Sequence, residues 1–136
     1  MADRLLVDTS VWSLAFRRPI DVHDVHVDAL RAALTSNQIV VTTGVILQEL
    51  LQGVSKPRQM LEFSTMFSKL GFVNPDKLTH TSAAEVWTKC RKKGVQLGTV
   101  DALLVALCLE RELTMLTTDR DFTHASRIVP LRLWRP

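Results

Sequence analysis

The chain has 136 residues, 46% of them hydrophobic and 23% charged, with 17 Lys and Arg against 14 Asp and Glu for a formal net charge of +3. These are the proportions of a globular protein, and the length suits a single domain, residues 1–136, large enough to bury a core. No apolar run approaches the ~18 residues of a membrane span, and so small a charge points only weakly to nucleic acid.

Arg4-Leu5-Leu6-Val7 reads as a buried strand that delivers Asp8 at its C-terminal end. Met1-Ala2-Asp3-Arg4 leads straight into that strand and does not resemble a signal peptide, so the expected location is the cytoplasm. Thr9-Ser10 are cap residues for a helix beginning Val11 to Phe16, which Arg17-Arg18-Pro19 breaks. Apolar positions at helical spacing predict a second helix from Asp21 to Ser36. Ile39 to Thr42 is a second strand, and Thr43-Gly44 turns into a helix from Val45 to Gly53 that contains Glu49. Lys56-Pro57 opens a fourth helix, Arg58 to Leu70, closed by Gly71. Phe72-Val73 is a short third strand, and a fifth helix runs from about Thr81 to Lys93 with Gly94 as its stop.

The stretch from Gly98 to Phe122 organises the rest. Thr99 caps an apolar helix with Asp101 in its first turn, and Thr114 to Thr118 forms a buried strand ahead of Asp119. Twelve helical residues travel roughly 18 Å at ~1.5 Å each. Five strand residues travel roughly 16 Å back at ~3.3 Å each, so Asp101 and Asp119 return to one edge. A final short strand is predicted near Ile128-Val129. Strands alternating with helices make an α/β domain with a mainly parallel sheet, and such sheets bind ligands beyond the carboxyl ends of their strands. Asp8, Asp101 and Asp119 all fall there, with Glu49 on a helix descending from the same edge. Each acid alone reads as a turn former, cap or solvated rim position. Together they repel unless cations or protons neutralise them, and all-oxygen ligation suits Mg²⁺ or Mn²⁺.

Other features carry less. His23 and His26 stand three apart, without the third ligand that a zinc signature requires. Trp12, Trp87 and Trp134 read as core or interface residues, and Cys90 and Cys108 as reduced structural thiols. Lys89, Arg91, Lys92 and Lys93 read first as a dipole-matched helix end, and Arg17-Arg18 as the better pair for steering RNA. No phosphate-binding glycine loop or nucleophile elbow is present.

Val7-Asp8-Thr9-Ser10, Leu47-Gln48-Glu49-Leu50, Asp101 to Ala106 and Leu116 to Phe122 together resemble a PIN domain, and within it the VapC-type ribonuclease toxins of toxin–antitoxin pairs. The resemblance covers essentially the whole chain. It implies a three-layer α/β/α fold around a mainly parallel sheet, Mg²⁺- or Mn²⁺-dependent endoribonuclease activity, a cognate antitoxin and commonly a homodimer. Carried over residue by residue, Asp8, Glu49, Asp101 and Asp119 match the family's catalytic acids. Asp8, Asp101 and Asp119 become the metal ligands, and Glu49 positions the attacking water or helps to hold a second ion. Ser10 matches a supporting polar residue, and Asp121 is a further acid. Two other classes stay open. One is a PIN-like module that binds RNA or protein without catalysis, whose acids would be expected to be broken. The other is a phosphatase with Asp8 as nucleophile, although Ser10 stands where a haloacid-dehalogenase-like enzyme needs a second Asp.

Overall fold

In a computed structural model, which describes residues 4–17 and 23–136, five strands form one parallel sheet: β1 (Leu5–Val7), β2 (Val40–Thr42), β3 (Gly71–Phe72), β4 (Thr114–Leu116) and β5 (Arg132–Leu133). The connections are α1 (Thr9–Arg17), α2 (Val25–Thr35), α3 (Gly44–Gln52), α4 (Pro57–Phe67), α5 (Lys77–Lys92), α6 (Thr99–Arg111) and α7 (Arg120–Ser126). The strand order is β3-β2-β1-β4-β5. From β1 the chain steps outward through β2 to β3, then returns across the sheet to β4 and steps the other way to β5. Right-handed crossovers therefore put α1–α4 on one face and α5–α7 on the other. The contacts agree: α1 packs on α2 and α3, α3 on α4, and α5 on α6. This is the three-layer α/β/α arrangement, and its order reverses between β1 and β4.

The central strand β1 is buried along its whole length because both its edges and both its faces are covered. Below it, Trp12 meets the Phe67 ring edge-on at 4.8 Å, and Phe16 packs on Phe63 at 4.1 Å. On the other face α6 buries Ala102 and the run Leu104 to Cys108. A helix this apolar around its girth is stable only between other layers. Glu112 ends α6 in the left-handed region, at φ 53°, and Leu113 N–H bonds back to the Cys108 carbonyl at 2.9 Å. That tight stop turns the chain directly into β4. Cys90 and Cys108 are free and buried. Among the described residues no helix is long and apolar enough to cross a membrane.

Several boundaries differ from the sequence reading. The helix predicted from Asp21 starts at Val25, where the Asp24 side chain accepts from the His26 and Val27 amides; Asp21 and Val22 lie outside the described residues. Thr99 is the first helical residue of α6 and Gly98 its cap, so Thr99 does not cap. The fifth helix opens four residues early because Asp76 and Thr79 form a capping box with Asp rather than Ser or Thr as the cap. The stretch after Asp119 is the helix α7, whose two turns bury only Phe122 and Ala125 and leave too little periodicity to see. Ile128 and Val129 finish that helix, with both amides bonded to the Ala125 carbonyl. The last strand is therefore Arg132–Leu133, not Ile128-Val129.

Thr79 locks the start of α5 to the end of α6. Its fully buried hydroxyl accepts the Asp76 amide at 3.1 Å and has a Glu110 carboxylate oxygen at 2.9 Å to receive its proton. The Thr79 amide, which donates to Asp76 Oδ1 at 3.0 Å, holds the Asp76 carboxyl below the usual carboxylate range. Replacing Thr79 by Val keeps the shape but strands the cap and the Glu110 contact. Urea unfolding of Thr79→Val should show a loss of about 1–2 kcal/mol; an unchanged midpoint would mean that water substitutes for the hydroxyl.

Candidate functional site

The reversal of strand order leaves a crevice beyond the carboxyl ends of β1 and β4. Asp8 sits there, between β1 and α1, with only 7% of its surface exposed. Its Oδ2 accepts from the Ser10 hydroxyl at 2.8 Å, the Thr117 hydroxyl at 2.9 Å and the Ser10 amide at 3.4 Å. Among the described residues its Oδ1 accepts nothing. Each hydroxyl has one proton and directs it at Asp8, so each serves as an acceptor toward the next loop. Ser10 Oγ receives the Thr118 amide at 3.1 Å, and Thr117 Oγ1 receives the Asp119 amide at 3.0 Å. The same two side chains that hold Asp8 thus set the loop that carries Asp119.

Asp119 caps α7, accepting the Asp121 amide on Oδ1 at 2.9 Å. Asp101 reaches the crevice from the first turn of α6. One carboxylate oxygen each from Asp101, Asp119 and Asp121 lies within 4.8 Å of the other two. The Asp101 carboxyl is pushed up to about 6, first by its burial and then by the charges of Asp119, Asp8, Asp121 and Glu49. Four acids therefore act on the one carboxyl of Asp101. Glu49 stands at the exposed rim on α3, where its Oε1 accepts from the Thr9 hydroxyl at 2.9 Å. No ion pair among the described residues joins any of the five to a cationic side chain.

Of the four acids picked from the sequence, Asp8, Glu49 and Asp119 all bear on the Asp101 carboxyl, but their spacing is uneven. The tight trio is Asp101, Asp119 and Asp121; Asp8 lies within electrostatic reach of it, and Glu49 lies at the rim, held by Thr9. Sequence reasoning missed Thr117 as a donor to Asp8. The signal was a pair of threonines between a buried strand and an acid, a place where hydroxyls bond locally. His23 and His26 do not share a site, since His23 leans to Asp28 at 3.8 Å and His26 to Asp24 at 3.6 Å. Arg17 lines a cleft of about 540 Å³ with Thr9, Glu49 and Phe63; Arg18 lies outside the described residues. Trp12 is core, whereas Trp87 is 36% exposed.

Comparison with known proteins places this geometry. Three solved assemblies share the fold. VapBC2 from Rickettsia felis, bound to a DNA fragment from its promoter, superposes with a TM-score of 0.72 at 20% identity over 96% of this chain and 97% of that one. FitAcB from Neisseria gonorrhoeae gives 0.72 at 18% identity over 97% of each chain. VapC20 from Mycobacterium tuberculosis, a toxin that cleaves the sarcin–ricin loop, gives 0.67 at 22% identity over 94% and 98%. No curated protein sequence matches significantly. The sequence profile of the PIN domain, however, matches residues 5–128. That span takes in β1 with Asp8, Glu49, α6 with Asp101, and the loop from Thr117 to Asp121. By that match the chain belongs to the PIN domain family.

Proposed function

We propose that this protein is a Mg²⁺- or Mn²⁺-dependent endoribonuclease, the toxin of a toxin–antitoxin pair. It acts in the cytoplasm as a homodimer of single-domain chains, residues 1–136. The observation that carries the reading is that Asp8, Glu49, Asp119 and Asp121 all bear on the Asp101 carboxyl, while none of the five makes an ion pair among the described residues. PIN domains are nucleases, and the VapBC assemblies that share this fold pair a toxin with an antitoxin.

The donor set fits a hard divalent cation: it is all oxygen, closely spaced, and open on the exposed side. Asp8, Asp101 and Asp119 would hold the ion, and the position of Asp121 favours a share for it as well. A bound Mg²⁺ would acidify a ligated water and offset charge growing on a phosphate. Asp8 would offer its Oδ1, while Ser10 and Thr117 keep Oδ2 fixed. Glu49, bonded by Thr9, would position the attacking water or help to hold a second ion. Asp8 as a phosphatase nucleophile is disfavoured, because Ser10 stands where a haloacid-dehalogenase-like enzyme needs a second Asp. An antitoxin that offers an Arg to this acidic pocket would pair with it bidentately.

Purified protein should cut single-stranded RNA with Mg²⁺ or Mn²⁺ and stop in EDTA. Asp8→Asn and Asp101→Asn should each lower the rate by at least about a hundredfold, as loss of a group that holds the activating ion or orients water does. Undiminished cutting in EDTA would refute the metal dependence.

The raised Asp101 carboxyl gives a second expectation, whose sign follows from linkage. In the metal-free protein the folded state disfavours the carboxylate form, so stability is greatest below the ordinary value of 3.8 and is lost as pH rises through about 6. Asp101→Asn removes that loss. In EDTA at pH 7.5 the variant should melt at or above the wild-type temperature, and the difference should close below pH 4. Saturating Mn²⁺ should stabilise wild type by ~2.7 kcal/mol at a hundredfold excess over Kd, and the variant much less. A variant that melts well below wild type in EDTA, with the same Mn²⁺ response, would make Asp101 part of the scaffold.

A further inference from the structure

The helices α5 and α6 run antiparallel. Thr79 meets Glu110 at one end, and at the other Trp87 and Thr88 face Thr99, Val100 and Leu103 across an open groove of about 360 Å³. That second end is the one that carries Asp101. There the last turn of α5 and its cap carry Lys89, Arg91, Lys92 and Lys93, all exposed, with Lys89 turned to a separate cleft that Glu85, Leu109 and Pro130 line. None of the four enters an ion pair among the described residues. A helix C-terminus favours cations in its last turn, which accounts for part of the cluster. It does not account for the Arg91 guanidinium lying over the half-exposed Trp87 ring, 5.1 Å from its centroid, at the wall of the groove. Indole and guanidinium are the surfaces on which unpaired bases stack.

We propose that the groove between α5 and α6 carries the single-stranded RNA that flanks the scissile bond, with Lys92 and Lys93 taking its phosphates and Trp87 with Arg91 taking a base. The proposal rests on the ribonuclease reading above and adds where the strand lies. Charge complementarity selects this occupant. The crevice of five carboxylates repels a polyanion, so the strand must be held by cations beside it. The α5 cluster is separated from the Asp101 turn only by the Gly94–Gly98 loop. The groove itself is apolar and open, with room for a base and no lid to thread.

The test is binding without cleavage: fluorescence anisotropy of a labelled single-stranded RNA in EDTA, across a KCl series. The variants are the double Lys92→Gln, Lys93→Gln and the single Trp87→Leu, which keeps apolar bulk but removes the stacking face. The double variant should bind about fivefold or more weakly near 0.1 M salt, and its log–log salt slope should shrink by about 1.4, at ~0.7 per phosphate. Trp87→Leu should bind about fivefold or more weakly with the slope unchanged. Both lysines are exposed, so the double variant should keep its circular-dichroism melt. A double variant with wild-type affinity and slope would overturn the proposal. So would a Trp87→Leu protein that binds RNA normally but sediments as a monomer where wild type is a dimer, because the groove would then be a self-interface. Should wild type fail to cut RNA with Mn²⁺ while the binding pattern holds, the ribonuclease reading falls and this surface stands.

Discussion

The buried carboxylate of Asp8 depends on two hydroxyl protons brought to it by adjacent parallel strands. A carboxylate taken out of water costs several kcal/mol unless donors replace its hydration. Ser10, at the start of α1, and Thr117, just after β4, supply all three donors on Oδ2, two of them hydroxyls. Their placement follows from the β1–β4 register, in which Val7 stands opposite Leu116 and the Asp8 amide bonds to the Leu116 carbonyl at 2.9 Å. A slip of one residue would turn Thr117 to the other face of the sheet. The same hydroxyls accept the Thr118 and Asp119 amides, so one small network sets both the first acid and the loop that delivers the last two.

Around that network the structure gathers like charges. Asp8 comes from a strand end, Glu49 from α3, Asp101 from α6, and Asp119 with Asp121 from the start of α7. Each is locally comfortable: Asp101 and Asp121 sit in first turns, where the helix dipole favours anions, and Asp119 is a cap. Collectively they are not, as the raised Asp101 carboxyl shows. The charge is felt in the core as well. The Cys108 thiol is pushed up to about 12, by burial first and by Asp8 second, so it stays protonated and unreactive. The proposed cation would offset this repulsion, which no ion pair among the described residues relieves.

The two faces of the sheet divide the surroundings of the crevice between them. On the α1–α4 side, Thr9 and Glu49 open into the cleft lined by Arg17, and on the α5–α7 side the Asp101 turn adjoins the Trp87 groove. The Thr79–Glu110 lock lies at the far end of the α5–α6 pair. It fixes the hairpin where its rigidity does not crowd the groove.

Most of the architecture was legible because its signals are local. Apolar runs marked β1, β2 and β4, and the length of α6 against that of β4 required Asp101 and Asp119 to return to one edge. Elements with little signal of their own were not legible. The helix α7 has two buried residues, and β5 has two residues in all, so only the packing beneath them decides that they form. The sequence by itself determined an alternating α/β chain with Asp8, Asp101 and Asp119 at the strand ends and Glu49 close by, since rise per residue and hydrophobic period suffice for that. Only the tertiary structure decided which oxygens meet. That Asp121 joins Asp101 and Asp119, that Thr117 donates to Asp8, and that Trp87 faces Val100 and Leu103 across one groove all depend on strand register and helix pairing that join residues distant in sequence. No local propensity encodes such distances, because they are set by which surfaces bury one another.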